Sequence, residues 1–171
     1  MKELEPPDRF HWQAAQGWLG LGNTAEASAE LEKIAPALRT RPDVLETRWL
    51  ICAREKKWET CRDIARTITE LAPDDPGGWL HLAYSLRRIP GGGLQAAWDL
   101  LLSKAEHFPR EVTIPFNLAC YAAQMQRLDD ARHWLEQAFA VAKEIRCHDQ
   151  VRRMALDDPD LESLWPEIPG K

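Results

Sequence analysis

The sequence predicts an all-α fold built from short helix-turn-helix units. The clearest unit runs from Phe116 to Ala140, where two stretches with apolar residues at helical spacing are joined by a polar turn. Small residues recur at one position of each first helix (Ala15, Trp49, Ala83, Ala119, with Trp49 the exception) and of each second helix (Ala27, Cys61, Ala97, Ala131), in steps of 34 or 36 residues. We therefore predict eight repeat helices, a helical C-terminal cap and no β-sheet.

The first two units begin after Pro7 and Pro42. In the first unit, Asn23 or Thr24 is placed to cap the second helix, and Glu26 is placed to complete a capping box with Asn23. In the second unit, Trp58 starts the second helix after a turn that contains two lysines.

The third unit opens at Asp75, an N-cap residue followed by a proline at the first helical position. Its inter-helix turn contains three glycines, and the extra residues account for the step of 36. A phosphate-binding loop is disfavoured because no Gly-Lys-Ser or Gly-Lys-Thr follows the glycines. Lys104 stands where an apolar residue is expected, so we expect the register of this unit to slip towards Ala105.

The period of 34 residues in a helix-turn-helix unit resembles the tetratricopeptide repeat (TPR) family over roughly residues 8–143. The resemblance implies a right-handed α-α superhelix, a TPR solenoid of helix-turn-helix repeats, forming a single domain over residues 1–171. Repeats are expected at roughly 8–41, 42–75, 76–111 and 112–143, with a helical C-terminal cap at 144–168. Trp49 departs from the family, which prefers glycine or alanine there, and we expect a splayed helix pair at that point. The segment that starts at Asp157 looks like the closing segment of many TPR proteins.

Composition excludes several classes of protein. The 171 residues are 44% hydrophobic and 29% charged, which is ordinary for a globular protein. No apolar run is long enough to span a membrane and no signal peptide is recognised, so we expect a soluble, cytoplasmic protein. The net charge of -5 argues against nucleic acid as a partner.

The sequence shows no catalytic constellation, cofactor motif or metal-ligand spacing. The four cysteines lie within helical patterns and are interpreted as core residues, and the five histidines fall in different helices. Three acidic pairs, Asp74/Asp75, Asp129/Asp130 and Asp157/Asp158, are interpreted as helix caps. We predict no catalytic residue, no cofactor and no metal. Seven of the eight tryptophans are interpreted as core residues, and Trp12 as the exception.

The TPR resemblance implies that the first helices of successive repeats line a concave groove. The candidate ligand- or peptide-binding residues of this groove are Trp12, Gln16, Leu50, Arg54, Leu80, Tyr84, Arg87, Arg88, Phe116, Asn117, Cys120 and Gln124. Aromatic residues and arginines dominate interface energetics, so the set suits an extended peptide or a partner helix with acidic groups. A merely solvated concave face is the alternative. The lysine and asparagine clamp for chaperone tails is absent.

These features predict a non-catalytic protein-protein interaction scaffold that binds a protein or peptide partner, with an acidic partner favoured. The alternatives are a small helical enzyme or enzyme-regulatory subunit, and, less favoured, an RNA-binding helical repeat. We expect no membrane contact and a monomer or weak homo-oligomer. The identity of the partner is not encoded in any recognisable motif.

Overall fold

Helices dominate this computed structural model, which describes residues 3–168, and no β-strand occurs in that range. The same range contains nine α-helices and two 3₁₀-helices. The all-α prediction is confirmed. Within residues 3–168 no helix combines the length and the apolar character needed to cross a membrane. Contacts divide the chain into two compact units, Met1–Ser85 and Leu86–Lys171, with α5 ending at the division.

The first unit consists of five α-helices and a short 3₁₀-helix. They are α1 (Asp8–Gly20), α2 (Thr24–Lys33), the 3₁₀-helix Pro36–Leu38, α3 (Pro42–Arg54), α4 (Trp58–Leu71) and α5 (Pro76–Leu86). Helix α1 packs on α2 and α3 packs on α4, while α3 also contacts both helices of the first pair. Two helix pairs therefore share one packed body in this unit.

The second unit consists of four α-helices and a terminal 3₁₀-helix. They are α6 (Leu94–Leu102), α7 (Thr113–Gln124), α8 (Leu128–Glu144), α9 (His148–Asp157) and the 3₁₀-helix Pro159–Glu167. Helix α7 is central, because it packs on α6, α8 and the terminal 3₁₀-helix. We call Asp158–Ile168 the terminal segment, and it also contacts α9.

All eight positions of the predicted small-residue series are buried, as expected. Exposure is 5% for Trp49 and 0% for the others, Ala15, Ala83, Ala119, Ala27, Cys61, Ala97 and Ala131. Three of the predicted pairs, α1 with α2, α3 with α4 and α7 with α8, pack directly on each other. Small side chains at these positions allow close helix approach, and their burial follows directly from the periodicity of the sequence.

Trp49 does not separate the two helices of its pair. The thiol of Cys61 on α4 lies 3.7 Å from the backbone carbonyl of Trp49 on α3, so the helices approach closely there. The indole ring stacks on His81 of α5, with ring centroids 3.9 Å apart. The expected splaying is therefore wrong, and the bulky ring packs against the next helix, α5.

Four helix-to-helix turns share one hydrogen-bond pattern. Each turn has one residue at positive φ: Gly22 (81°) after α1, Lys56 (58°) after α3, Gln126 (61°) after α7 and Arg146 (62°) after α8. The next amide donates to the carbonyl five residues back, as Asn23 does to Trp18 at 3.0 Å and Lys57 to Cys52 at 2.9 Å. This is a Schellman motif, which satisfies the last carbonyls of the first helix. Only the first of the four turns has the glycine that the motif favours.

Side-chain caps occur at three of the predicted helix starts. Asn23 accepts a hydrogen bond from the amide of Glu26 at 3.1 Å, which is one of the two bonds of a capping box, while its own amide donates to the carbonyl of Trp18. Asp75 accepts from the amide of Gly77 and Asp158 from that of Asp160, both at 2.9 Å. These carboxylates are structural, as predicted.

Two local predictions are wrong. Asp129 and Asp130 do not cap α8, because the helix already begins at Leu128; they lie in its first turn, paired with Arg132 at 2.9 Å and Arg127 at 2.7 Å. Lys104 causes no register slip, because α6 ends at Leu102 and the lysine lies in the following turn.

The three consecutive glycines form the predicted inter-helix turn. Gly91 and Gly93 have φ values of 77° and 106°, which other residues rarely adopt. A Cβ atom on Gly92 would lie 2.2 Å from the carbonyl oxygen of Leu86, so only glycine fits there. Backbone conformation and packing account for all three residues.

Candidate functional site

The first unit contains an open groove of about 640 Å³. Helices α1, α3 and α5 all contribute to its walls. The lining residues are Gln16, Leu19, Gly20, Trp49, Leu50, Ala53, Arg54, Trp58 and Tyr84. No carboxylate is among them, and Arg54 carries the one full charge. The groove is thus mostly apolar, with a cation at the C-terminal end of α3.

An aromatic cluster forms one wall of the groove. The Tyr84 ring lies edge-on to Trp49, with centroids 5.8 Å apart, and tilted against Trp58 at 5.9 Å. Two contacts with α5 fix Trp49: its ring stacks on His81, and its indole N–H donates to the hydroxyl of Ser85 at 3.1 Å. The wall is therefore fixed by contacts between α3 and α5, and its rings lose little freedom if a ligand packs on them.

Two apolar side chains of the groove remain accessible. Leu50 is 40% exposed and Tyr84 is 39% exposed. The guanidinium of Arg54 is exposed and forms no hydrogen bond or ion pair within residues 3–168. A ligand could therefore bury apolar surface against Leu50 and Tyr84 and place a negative group at Arg54.

Four of the twelve predicted site residues line this groove: Gln16, Leu50, Arg54 and Tyr84. Two others from the first unit do not. Trp12 is half-buried and donates its indole N–H to Thr47 of α3 at 2.9 Å, so it joins α1 to α3 beneath the surface. Leu80 is half-buried on α5 outside the groove lining.

The predicted residues of the second unit lie on or near α7, and two of them are buried. Phe116 is 5% exposed and Cys120 is 2% exposed, while Asn117 is half-buried. Gln124 is exposed at the end of α7, and Arg87 and Arg88 are half-buried after α5. Phe116 and Cys120 therefore offer little surface to an external ligand.

The terminal segment covers part of this α7 face. The guanidinium Nη1 of Arg87 lies 2.5 Å from the carboxylate Oδ2 of Asp160, and the side-chain amide of Gln124 donates to the backbone carbonyl of Asp160 at 3.4 Å. The thiol of Cys120 lies 3.7 Å from Oδ2 of Asp158. Three predicted site residues thus already bind a part of the same chain.

Apolar anchors hold the terminal segment in place. Leu161 and Leu164 are 0% and 1% exposed, and their three-residue spacing puts them on one side of a 3₁₀-helix. The indole N–H of Trp165 donates to the carbonyl of Ala155 at 2.9 Å, and Arg132 pairs with Glu167 at 2.8 Å. The terminal segment therefore binds the rest of the second unit through buried leucines that are flanked by carboxylates.

Sequence reasoning missed two features of these sites. Trp58 was assigned to the core, yet it is half-buried and lines the groove, and the ring of Trp49, which is buried as expected, also forms part of the groove wall. Their position beside Leu50 and Arg54 in the sequence was the available signal for a shared surface. The docking of Asp160 on Arg87 joins residues 73 positions apart, and the carboxylates of the segment gave no sign of their partners.

Three of the four cysteines, Cys52, Cys61 and Cys120, are buried free thiols. Burial raises the pKa of the Cys61 thiol to about 12, and burial together with the nearby carboxylates raises that of Cys120 further. Burial also raises the pKa of Cys52. A thiolate is the nucleophilic form of cysteine, so these thiols are inert at neutral pH. Within residues 3–168 no group of histidine, cysteine and acidic side chains is arranged to hold a metal ion.

The fold and the groove define an all-helical protein with a concave, aromatic-walled surface site. A comparison with models of known protein families found no match. A comparison with curated protein sequences likewise found none.

Proposed function

We propose that the chain is a non-catalytic protein-protein interaction scaffold of the TPR type, with its helix pairs wound as a right-handed superhelix. A peptide or helix of a partner protein binds in a concave groove. The observation that carries this proposal is the groove of the first unit, where Gln16, Leu50, Arg54 and Tyr84 gather around one apolar channel. Concave sites with aromatic anchors and an arginine suit peptide recognition.

The pairing of the helices and the spacing of their buried residues support the proposed TPR assignment. Positions spaced by 34 or 36 residues are buried in all four expected first helices and all four second helices. The Schellman turns after α1 and α3 place Gly22 and Lys56, which are also 34 residues apart, at positive φ. A helix-turn-helix unit of this period is the basis of the TPR assignment.

An enzyme or enzyme-regulatory subunit is the alternative, and an RNA-binding repeat is less favoured. The titratable groups in the groove are few, and the buried thiols carry a raised pKa, so acid-base or nucleophilic chemistry has little support. The net charge of -5 disfavours phosphate backbones. We further propose a cytoplasmic protein that is a monomer or weak homo-oligomer.

A peptide display library panned on the immobilised chain tests the groove directly. Peptides selected on the parent are titrated against the parent and against the variant Tyr84→Ala. We expect roughly tenfold weaker binding to this variant, because the ring presents apolar surface to the ligand. Circular dichroism checks that the helical content is unchanged. The matched control is Phe10→Ala, since Phe10 is 55% exposed on α1 and does not line the groove.

Two results would overturn the groove assignment. One is a library that yields no peptide enriched on the folded parent. The other is a set of peptides that bind the parent, Tyr84→Ala and Phe10→Ala equally well, which would move the binding surface elsewhere.

A further inference from the structure

Equivalent repeat positions line the groove of the first unit and bind the terminal segment in the second. Positions in the groove can be counted from the buried series residue of each first helix, Ala15, Trp49 or Ala83. The groove is lined by the residues one position later (Gln16, Leu50 and Tyr84), four positions later (Leu19 and Ala53) and five positions later (Gly20 and Arg54). The terminal segment contacts the same three positions, at Cys120, Arg87 and Gln124. The terminal segment therefore binds these positions on α7 and in the turn after α5. The side chains differ between the two sites: Leu19 and Ala53 stand where Arg87 does, and Gly20 and Arg54 stand where Gln124 does.

The chemistry of that intramolecular contact is specific. An aspartate of the segment pairs with an arginine, Asp160 with Arg87, and the side-chain amide of Gln124 binds the backbone at the same residue. The next residue, Leu161, is completely buried. A carboxylate and the aliphatic side chain that follows it are thus both engaged.

The groove of the first unit offers the same kinds of chemical group at other positions of the series, since Arg54 is five residues after Trp49 whereas Arg87 is four residues after Ala83. Arg54 supplies a guanidinium that forms no ion pair within residues 3–168. Gln16 supplies a side-chain amide, and Leu50 and Tyr84 supply exposed apolar surface. Because no carboxylate lines the groove, an incoming acidic group meets attraction from Arg54 and no opposing charge among the lining residues.

We propose that the groove of the first unit binds a short acidic segment of a partner protein in which an aspartate is followed directly by a leucine. The aspartate pairs with Arg54 and the leucine packs against Leu50 and Tyr84. The terminal segment of this chain, with Asp160 and Leu161, is the internal example of such a ligand. This assignment of the partner class rests on the proposed function of the groove.

The probe is a labelled synthetic peptide with the sequence of residues 157–168, titrated against the full chain by fluorescence anisotropy. We expect binding that weakens roughly tenfold for Arg54→Glu and weakens as salt is added, since a charge is reversed. The matched control is Arg66→Glu, which makes the same charge change at an exposed arginine of α4 with no ion pair within residues 3–168. That variant should bind as the parent does.

Two altered peptides separate the contribution of the carboxylates to binding from that of the leucine side chains. Asparagine in place of Asp158 and Asp160 tests the carboxylates, and serine in place of Leu161 and Leu164 tests the apolar anchors. Both should bind more weakly than the native sequence. Equal binding of all three peptides would overturn the proposal.

Other outcomes are also decisive. Binding that is lost in Arg87→Glu but kept in Arg54→Glu would mean that the peptide replaces the chain's own terminal segment on α7, which overturns the proposal. A dimer of the parent that dissociates in Arg54→Glu would assign the groove to a second copy, against a separate partner. If the peptide does not bind while library peptides bind in a Tyr84-dependent way, the proposed function stands and only the partner class is wrong.

Discussion

Arg87 and Asp160 form an ion pair that joins the start of the second unit to the terminal segment, with 2.5 Å between Nη1 and Oδ2. Each side chain is 22% exposed, so the pair is largely shielded from water. The guanidinium also lies 5.4 Å from the centre of the Tyr121 ring. A second ion pair of the segment, Arg132 with Glu167, is more open, at 41% and 49% exposure.

A double-mutant cycle should separate these two pairs. For Arg87→Ala and Asp160→Ala we expect a coupling free energy of about 1 kcal/mol, because a shielded pair is weakly screened. The same cycle on Arg132 and Glu167 should give a smaller value. Chemical denaturation of the single and double variants provides the measurement. Equal coupling in the two cycles would show that shielding of the Arg87 pair is unimportant.

Replacing Ala131 with tryptophan should destabilise the second unit. Ala131 is 0% exposed where α8 packs on α7, and overpacking of such a site costs about 1 to 3 kcal/mol or more. Thermal unfolding should show a lower Tm. The control is Ala140→Trp on the exposed side of the same helix, which should leave the Tm nearly unchanged. A Tm for Ala131→Trp that equals the parent's would contradict the close crossing.

Lys56→Gly should stabilise the first unit. Lys56 has a φ of 58°, a conformation that glycine adopts without a steric penalty. Relief of that strain is partly offset by the greater freedom of glycine in the unfolded chain, so we expect a net gain of roughly 0.5 to 1 kcal/mol. Denaturant midpoints provide the comparison. Ala53→Gly, inside α3, should lower stability because glycine is unfavourable in a helix interior, and a gain from both substitutions would refute the strain argument.

Glu30→Gln should lower the Tm at pH 7 but not in acid. Hydrogen bonds from Lys33 (2.6 Å) and His11 (2.8 Å) lower the pKa of Glu30 below its ordinary value of 4.5. A carboxylate whose pKa is lower in the folded state stabilises the fold above its unfolded pKa, and this contribution disappears as the pH falls through the folded value. The Tm difference between parent and variant should therefore shrink below pH 4.5.

The pH test has a matched control in Glu136→Gln. Glu136 is exposed on α8 and forms no ion pair within residues 3–168. Its substitution should change the Tm little at either pH. A Tm difference for Glu30→Gln that persists unchanged in acid would mean that shape, and not charge, is the basis of the effect.

Much of the helical fold could be predicted because its determinants are local. Burial of Ala15, Ala83 and Ala119 follows from apolar periodicity, and the cap at Asn23 follows from a four-residue motif. The first turn of α8 was misread because Asp129 and Asp130 can either cap a helix or pair along it. Element boundaries depend on such small differences.

The candidate sites were predicted less completely because they depend on distant contacts. The resemblance to the TPR family placed Leu50, Arg54 and Tyr84 on one face, and all three line one groove. It did not predict that Trp49 would turn towards His81, which depends on the room beside α5. Nor did it predict the docking of Asp160, because an ion pair over 73 positions leaves no periodic trace.

The tryptophans of the groove wall allow ligand binding to be followed by intrinsic fluorescence. Trp49 and Trp58 both line the channel, and the emission of an indole ring responds to the polarity and contacts of its surroundings. A ligand without tryptophan that packs on Leu50 and Tyr84 would displace water next to these rings. Its arrival would then change the intrinsic fluorescence of the unlabelled chain, and Trp58→Phe would identify how much of the signal comes from the wall.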